Sequence, residues 1–190
     1  MAFTVSTFKS QLADGGGGAR PALFKVSISN SVNTNLSIDR LLVKAAAIPA
    51  ANIAPLAVNY AGRAYKWSGF RTFDTWTVTV MNDEDFAIRN KMMEWMRSIS
   101  GQLDGVRDKE HGDHITAGGS YKEGNATVKQ LGTDGVEKQV YKFYNLWPTE
   151  LAEIAVDWSS DALQEYTIGF AYDYWGHGAP SSDTNVVNAS

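Results

Sequence analysis

The residues with the strongest ligand chemistry are His111 and His114, separated by Gly112-Asp113 and preceded by Glu110. A zinc protease site needs two histidines one helical turn apart, in the pattern H-E-x-x-H, with the glutamate as base. Here the spacing is H-x-x-H within glycine-flanked polar sequence, which reads as a solvated loop. The third histidine, His177, falls in the C-terminal sequence. With no cysteine in the chain there is no thiolate ligand, thiol nucleophile or disulfide. A serine nucleophile would need a G-x-S-x-G elbow, whereas Ser159-Ser160 belong to a turn. Asp83, Glu84 and Asp85 stand at a helix start, where carboxylates favour the positive end of the helix dipole, and Glu150 and Glu153 flank a proline corner. The run Gly15–Gly18 lacks the Gly-Lys-Ser/Thr of a phosphate loop and precedes a strand, so it reads as a hinge. Trp67, Trp76, Trp147, Trp158 and Trp175 suggest a sugar platform, but Trp76 and Trp158 lie on inward-facing rows. These patterns predict no catalytic site, no metal and no cofactor.

The elements around these groups are mostly strands. Phe24, Val26 and Ile28 alternate with Lys25, Ser27 and Ser29, the period of a half-buried strand. Leu41–Ile48 reads as a second strand. Leu56–Tyr60 and Ala64–Trp67 flank a turn at Ala61-Gly62-Arg63 and form a hairpin. In Thr72–Val80 the residues Trp76, Val78 and Val80 oppose Thr75, Thr77 and Thr79. A helix over about residues 84–100 follows, capped by Asn82-Asp83-Glu84-Asp85 and ended by Gly101. Its stripe is Ile88, Met92, Trp95, Met96 and Ile99. Residues 101–120 read as a loop. Strands near 121–131 and 136–144 are joined by Gly132-Thr133-Asp134-Gly135, and Leu146-Trp147-Pro148-Thr149 turns a corner. Ile154, Val156 and Trp158 form an expected inward row, and residues 164–175 close the domain with Tyr166, Ile168, Phe170, Tyr172 and Tyr174 on one face. Residues 1–14 form a short arm with Val5, Phe8 and Leu12 at helical spacing and Ser6 as a cap.

The expected architecture is mainly β: an antiparallel β-sandwich or partly rolled barrel with one flanking α-helix. An N-terminal arm covers 1–19, the β domain 20–175 and a flexible tail 176–190. The expected core includes Phe24, Val26, Ile28, Trp76, Val78, Val80, Trp147, Trp158 and Phe170. Net charge is -4 and the basic residues are scattered, so the chain lacks the basic stripe of a nucleic-acid reader. No apolar window reaches membrane-spanning length, and Met1–Ser6 does not resemble a signal peptide.

Several ordered segments go beyond composition. Arg71-Thr72-Phe73-Asp74-Thr75-Trp76-Thr77-Val78-Thr79-Val80-Met81-Asn82-Asp83-Glu84 resembles the signature segment of T-even-like phage tail tube proteins, a strand running into the helix. In order with it stand Arg20-Pro21-Ala22-Leu23-Phe24-Lys25-Val26, Ala47-Ile48-Pro49-Ala50, Leu146-Trp147-Pro148-Thr149-Glu150-Leu151 with Asp157-Trp158, and the closing Asp173-Tyr174-Trp175. The resemblance covers about residues 20–175. The loop 101–120 is longer than the family's usual one, and 176–190 extends past its usual end.

The resemblance implies a structural subunit made in a host cytoplasm and carried in the virion tail. It implies partners as well: further copies of the chain in stacked hexameric rings, a contractile sheath protein, and baseplate and tail terminator proteins. DNA would pass through the lumen without sequence-specific binding. The alternative it leaves open is the inner tube of a contractile injection or type VI-like secretion system. For stacking, the hairpin 53–67 is the expected connector between rings, through Tyr60, Gly62, Arg63, Tyr65 and Trp67. The arm 1–19 is the second candidate.

Overall fold

A computed structural model describes residues 4–14, 17–30, 36–38, 42–100 and 124–178. The expected loop 101–120 with its two histidines lies outside the described residues, as does the tail beyond Gly178. The arm carries α1 (Val5–Asp14). Its cap is Thr4, whose hydroxyl oxygen accepts the Thr7 N–H at 3.3 Å, in place of the expected Ser6. Nothing in α1 is buried.

The strands are β1 (Phe24–Asn30), β2 (Leu36–Ile38), β3 (Val43–Ala46), β4 (Asn52–Tyr60), β5 (Arg63–Thr72) and β6 (Trp76–Met81). After the helix α2 (Ala87–Ile99) come β7 (Gly124–Leu131), β8 (Glu137–Leu151), β9 (Glu165–Ala171) and β10 (Tyr174–Gly178). All pairings among them are antiparallel. The long strand β8 organises the body. Its first part lies between β7 and β10, and its last residues, Trp147–Leu151, pair with β9. The paths β2-β1-β7-β8 and β8-β9-β6-β3 are thus two sheets sharing one bent strand. The expected corner at 146–149 is where β8 changes sheets. The bend uses Asn145 at φ 57° and a register shift between Pro148 and Glu150. The sheet does not close, so the expected sandwich with a flanking helix is what forms.

The alternating rows meet between the sheets. Val26 and Ile28, Trp76, Val78 and Val80, Ala126 and Val128, Phe143 and Leu146, and Tyr166, Ile168 and Phe170 are all buried. Phe24 and Trp147 pack on this core from its margin. Trp76 stacks on Phe143 of the opposite sheet with centroids 4.4 Å apart, and its ring lies 5.7 Å from that of Phe170. Helix α2 covers the core with Ile88, Met92 and Trp95. Gly124 admits this packing: a Cβ there would sit 2.4 Å from both the Trp95 indole and the Leu146 carbonyl oxygen.

Four expectations are corrected. Helix α2 starts at Ala87 with Phe86 at φ 53° and no side-chain cap, and the acids 83–85 precede it. Asn82 is engaged elsewhere, donating from Nδ2 to Gln164 Oε1 at 3.0 Å. The segment 164–175 is two strands broken at Tyr172-Asp173, both running along one edge of β8. His177 is in β10 opposite Tyr141, so the ordered domain runs past 175. Finally, Trp158 is not core. It is fully exposed with Val156 beside it, because 152–164 is a connection with turns and not a strand.

One core residue carries a pH signature. Tyr166 is 2% exposed, its hydroxyl has no hydrogen-bond partner among the described residues, and the Arg89 guanidinium lies 5.1 Å from its ring centroid. Burial pushes its pKa up to about 12, with Arg89 pulling downward and Asp83 reinforcing the rise. A raised folded-state pKa favours the neutral phenol. The resulting stabilisation is fully present below about pH 10, the ordinary tyrosine value, and is lost as pH rises through about 12. Tyr166→Phe is expected to flatten the alkaline loss of stability in that window. At neutral pH it should stabilise the fold by about 1 kcal/mol, since an unpaired buried hydroxyl is removed. Melting curves of both proteins at pH 7 and pH 11 check this; a destabilised variant at pH 7 would show that the hydroxyl is satisfied.

Candidate assembly surface

Among the described residues, strands β4 and β5 pair only with each other. Their turn is Ala61-Gly62, with φ 49° and 78°, the positive pair required by a two-residue type I′ hairpin. Arg63, expected in the turn, is the first residue of β5 and pairs with Tyr60. The cross-strand pairs Leu56–Trp67, Val58–Tyr65 and Tyr60–Arg63 share one face, while Ala57–Lys66 and Asn59–Ala64 share the other. The first face is therefore apolar and aromatic, the second small and polar. Yet the apolar face has no cover: Leu56 is 60% exposed, Tyr60 74% and Trp67 67%. Near the base, Phe70 is 92% exposed. A two-stranded ribbon with its large groups in water gains nothing from the subunit's own core.

The root of the ribbon, by contrast, is fixed. The indole N–H of Trp76 donates to the Ala47 carbonyl at 2.7 Å. The indole N–H of Trp175 donates to the Ala50 carbonyl at 3.3 Å. Asn52 Nδ2 donates to Asp74 Oδ2 at 2.8 Å across the base. Two sheets thus hold the segment 47–50 from which the ribbon springs, since Trp76 is in β6 and Trp175 in β10. Sequence reasoning singled out Tyr60, Gly62, Arg63, Tyr65 and Trp67 as a connector between rings, and the structure places them together on this ribbon. It missed Leu56 and Val58 as part of the same face, although their alternation with Ala57 and Asn59 carried that signal. It also missed the length of β5, which continues to Thr72.

The outer face of β6 and β9 joins small groups into one patch, because Thr79 pairs with Thr167 and Thr77 with Gly169. Among the described residues no three His, Cys, Asp or Glu side chains converge to hold a metal ion. No described helix is long and apolar enough to cross a membrane.

The chain thus presents a two-sheet β body with a rigidly rooted, uncovered ribbon. The phage tail tube protein family matches residues 6–177, and the chain belongs to that family. More particularly, it is 37% identical to tail tube protein gp19 of Enterobacteria phage T6, over 85% of this chain and 93% of that protein. It is 36% identical to tail tube protein gp19 of Enterobacteria phage T4, with the same coverage. Among solved structures the fold is similar to that of the tube-terminating cap of the anti-feeding prophage. The TM-score is 0.61 at 16% identity, covering 85% of this chain and 91% of that one.

Proposed function

We propose that this chain is the repeating, non-enzymatic subunit of a phage tail tube, polymerising as stacked hexameric rings into a channel for genome delivery. It is made in the host cytoplasm and functions in the virion tail. There a contractile sheath surrounds it, and baseplate and terminator proteins bound it. The observation that carries this reading is the identity of more than a third to two phage tail tube proteins along nearly their whole length. The uncovered ribbon supplies the physical means of association. A net charge of -4 suits a channel through which DNA slides, because a basic lining would hold phosphate by counterion release. The tube of an extracellular contractile injection system has a similar fold, but the relatives of high identity are phage proteins, which favours DNA as cargo.

Electron microscopy of the purified protein tests the reading. Long hollow rods of uniform width are expected at high protein concentration. A protein that stays monomeric at every concentration and salt condition would overturn it.

A further inference from the structure

We infer that the β4–β5 ribbon of one copy docks on the connection between β8 and β9, residues 152–164, of a second copy, with Trp158 as the anchor of that acceptor. This rests on the ribbon being the connector between rings. The first observation is a matched pair of uncovered surfaces. Trp158 is 107% exposed and Val156 83%, with Leu163 also exposed. The turn that bears Trp158 is built from within itself. Asp157 Oδ1 accepts the Ser159 N–H at 3.0 Å and its hydroxyl at 2.9 Å, and the Ser160 N–H donates to the Asp157 carbonyl at 3.3 Å. The indole is thus held outward on a defined turn, the presentation typical of an interface anchor.

The second observation is charge. Residues 52–72 carry Arg63, Lys66 and Arg71 and no acid. Residues 150–165 carry Glu150, Glu153, Asp157, Asp161 and Glu165 and no base. Of these acids only Glu165 has an ion pair among the described residues, with Lys44 at 2.6 Å. Ribbon against ribbon would juxtapose cations, and connection against connection would juxtapose carboxylates. Ribbon against connection instead covers both apolar surfaces and sets Arg63, which shares the apolar face, against carboxylates, with Lys66 on the far side of the ribbon adding to its positive field. Such a contact joins two different patches of identical chains, so every copy that offers a ribbon also offers a free acceptor, and growth continues.

A charge swap tests this. Three variants are compared by pelleting of rods, with thermal melting as the check on folding: R63E/K66E, E153K/D161K, and the two combined. Each reversal alone is expected to raise the protein concentration needed for rods about ten-fold or more, and the combination to restore it to within about three-fold of wild type. Trp158→Ala is expected to raise it about ten-fold with an unchanged melting curve. If E153K/D161K or Trp158→Ala forms rods normally while R63E/K66E does not, the acceptor is elsewhere and the ribbon reading stands. A combined variant that folds but stays unassembled also overturns the acceptor. If R63E/K66E forms rods like wild type, the ribbon reading fails and this inference with it. Should E153K/D161K melt low, E153Q/D161N replaces it, and normal rod formation by that variant counts against the proposal.

Discussion

Deleting residues 61–64 will leave the subunit folded and will stop it from forming tubes. No side chain of the ribbon is buried, and among the described residues β4 and β5 hydrogen-bond to no other strand, so the core does not register the change. The deletion removes the Ala61-Gly62 turn and forces Tyr60 and Tyr65 out of their present positions on the apolar face. Trp67→Ala is the gentler form of the same experiment. A loss of about 1–2 kcal/mol per contact weakens each contact about 5- to 30-fold. Because the contact recurs around every ring, the polymer suffers far more than the monomer. Circular dichroism should be native and sedimentation should find only rings or monomers. Tubes at wild-type concentrations would exclude the ribbon and direct attention to α1, whose Val5, Phe8 and Leu12 are also uncovered.

Trp76→Ala is expected to have the largest effect on stability. The side chain is 2% exposed, lies between the sheets against Phe143 and Phe170, and satisfies the Ala47 carbonyl. Truncation leaves a large cavity and an unpaired acceptor, at a cost of about 3–5 kcal/mol. That is a large part of the about 5–15 kcal/mol that holds a domain together. Trp76→Phe retains most of the apolar volume and loses the hydrogen bond, so about 1–2 kcal/mol is expected. Urea titrations of the three proteins provide the measurement, and an unchanged midpoint for Trp76→Ala would show that the indole does not support the core.

Much of this was legible in the sequence because half-buried strands announce themselves. Val26/Ile28, Trp76/Val78/Val80 and Ile168/Phe170 alternate with small or polar partners, and all proved to face inward. The helix stripe was equally clear, since three of its five residues, Ile88, Met92 and Trp95, are buried. What failed had a physical reason each time. The spacing of Ile154, Val156 and Trp158 imitates a strand, but Asp157 bonds to Ser159 and turns the chain. Moreover, an apolar group awaiting a partner chain looks the same in sequence as one awaiting its own core. The cap was misplaced because Asn82 spends its side chain on Gln164, a residue far away in sequence. The strand expected near 136–144 proved longer, since β8 continues to Leu151 through the corner by changing neighbours. Of the proposed assembly surface, the aromatic tip around the glycine turn was readable as a hairpin. The root was not, since Trp76 and Trp175 reach the carbonyls of Ala47 and Ala50 only through the fold.

That root has a mechanical meaning. If rings are coupled through the ribbons, any pull or twist along the tube enters each subunit at residues 47–52. A projection held by a single bond would swing there and leave the filament limp. Here the clamps come from both sheets of the sandwich, through Trp76, Trp175 and the Asn52–Asp74 pair. Load at the ribbon is then shared between the two sheets and not carried by one strand.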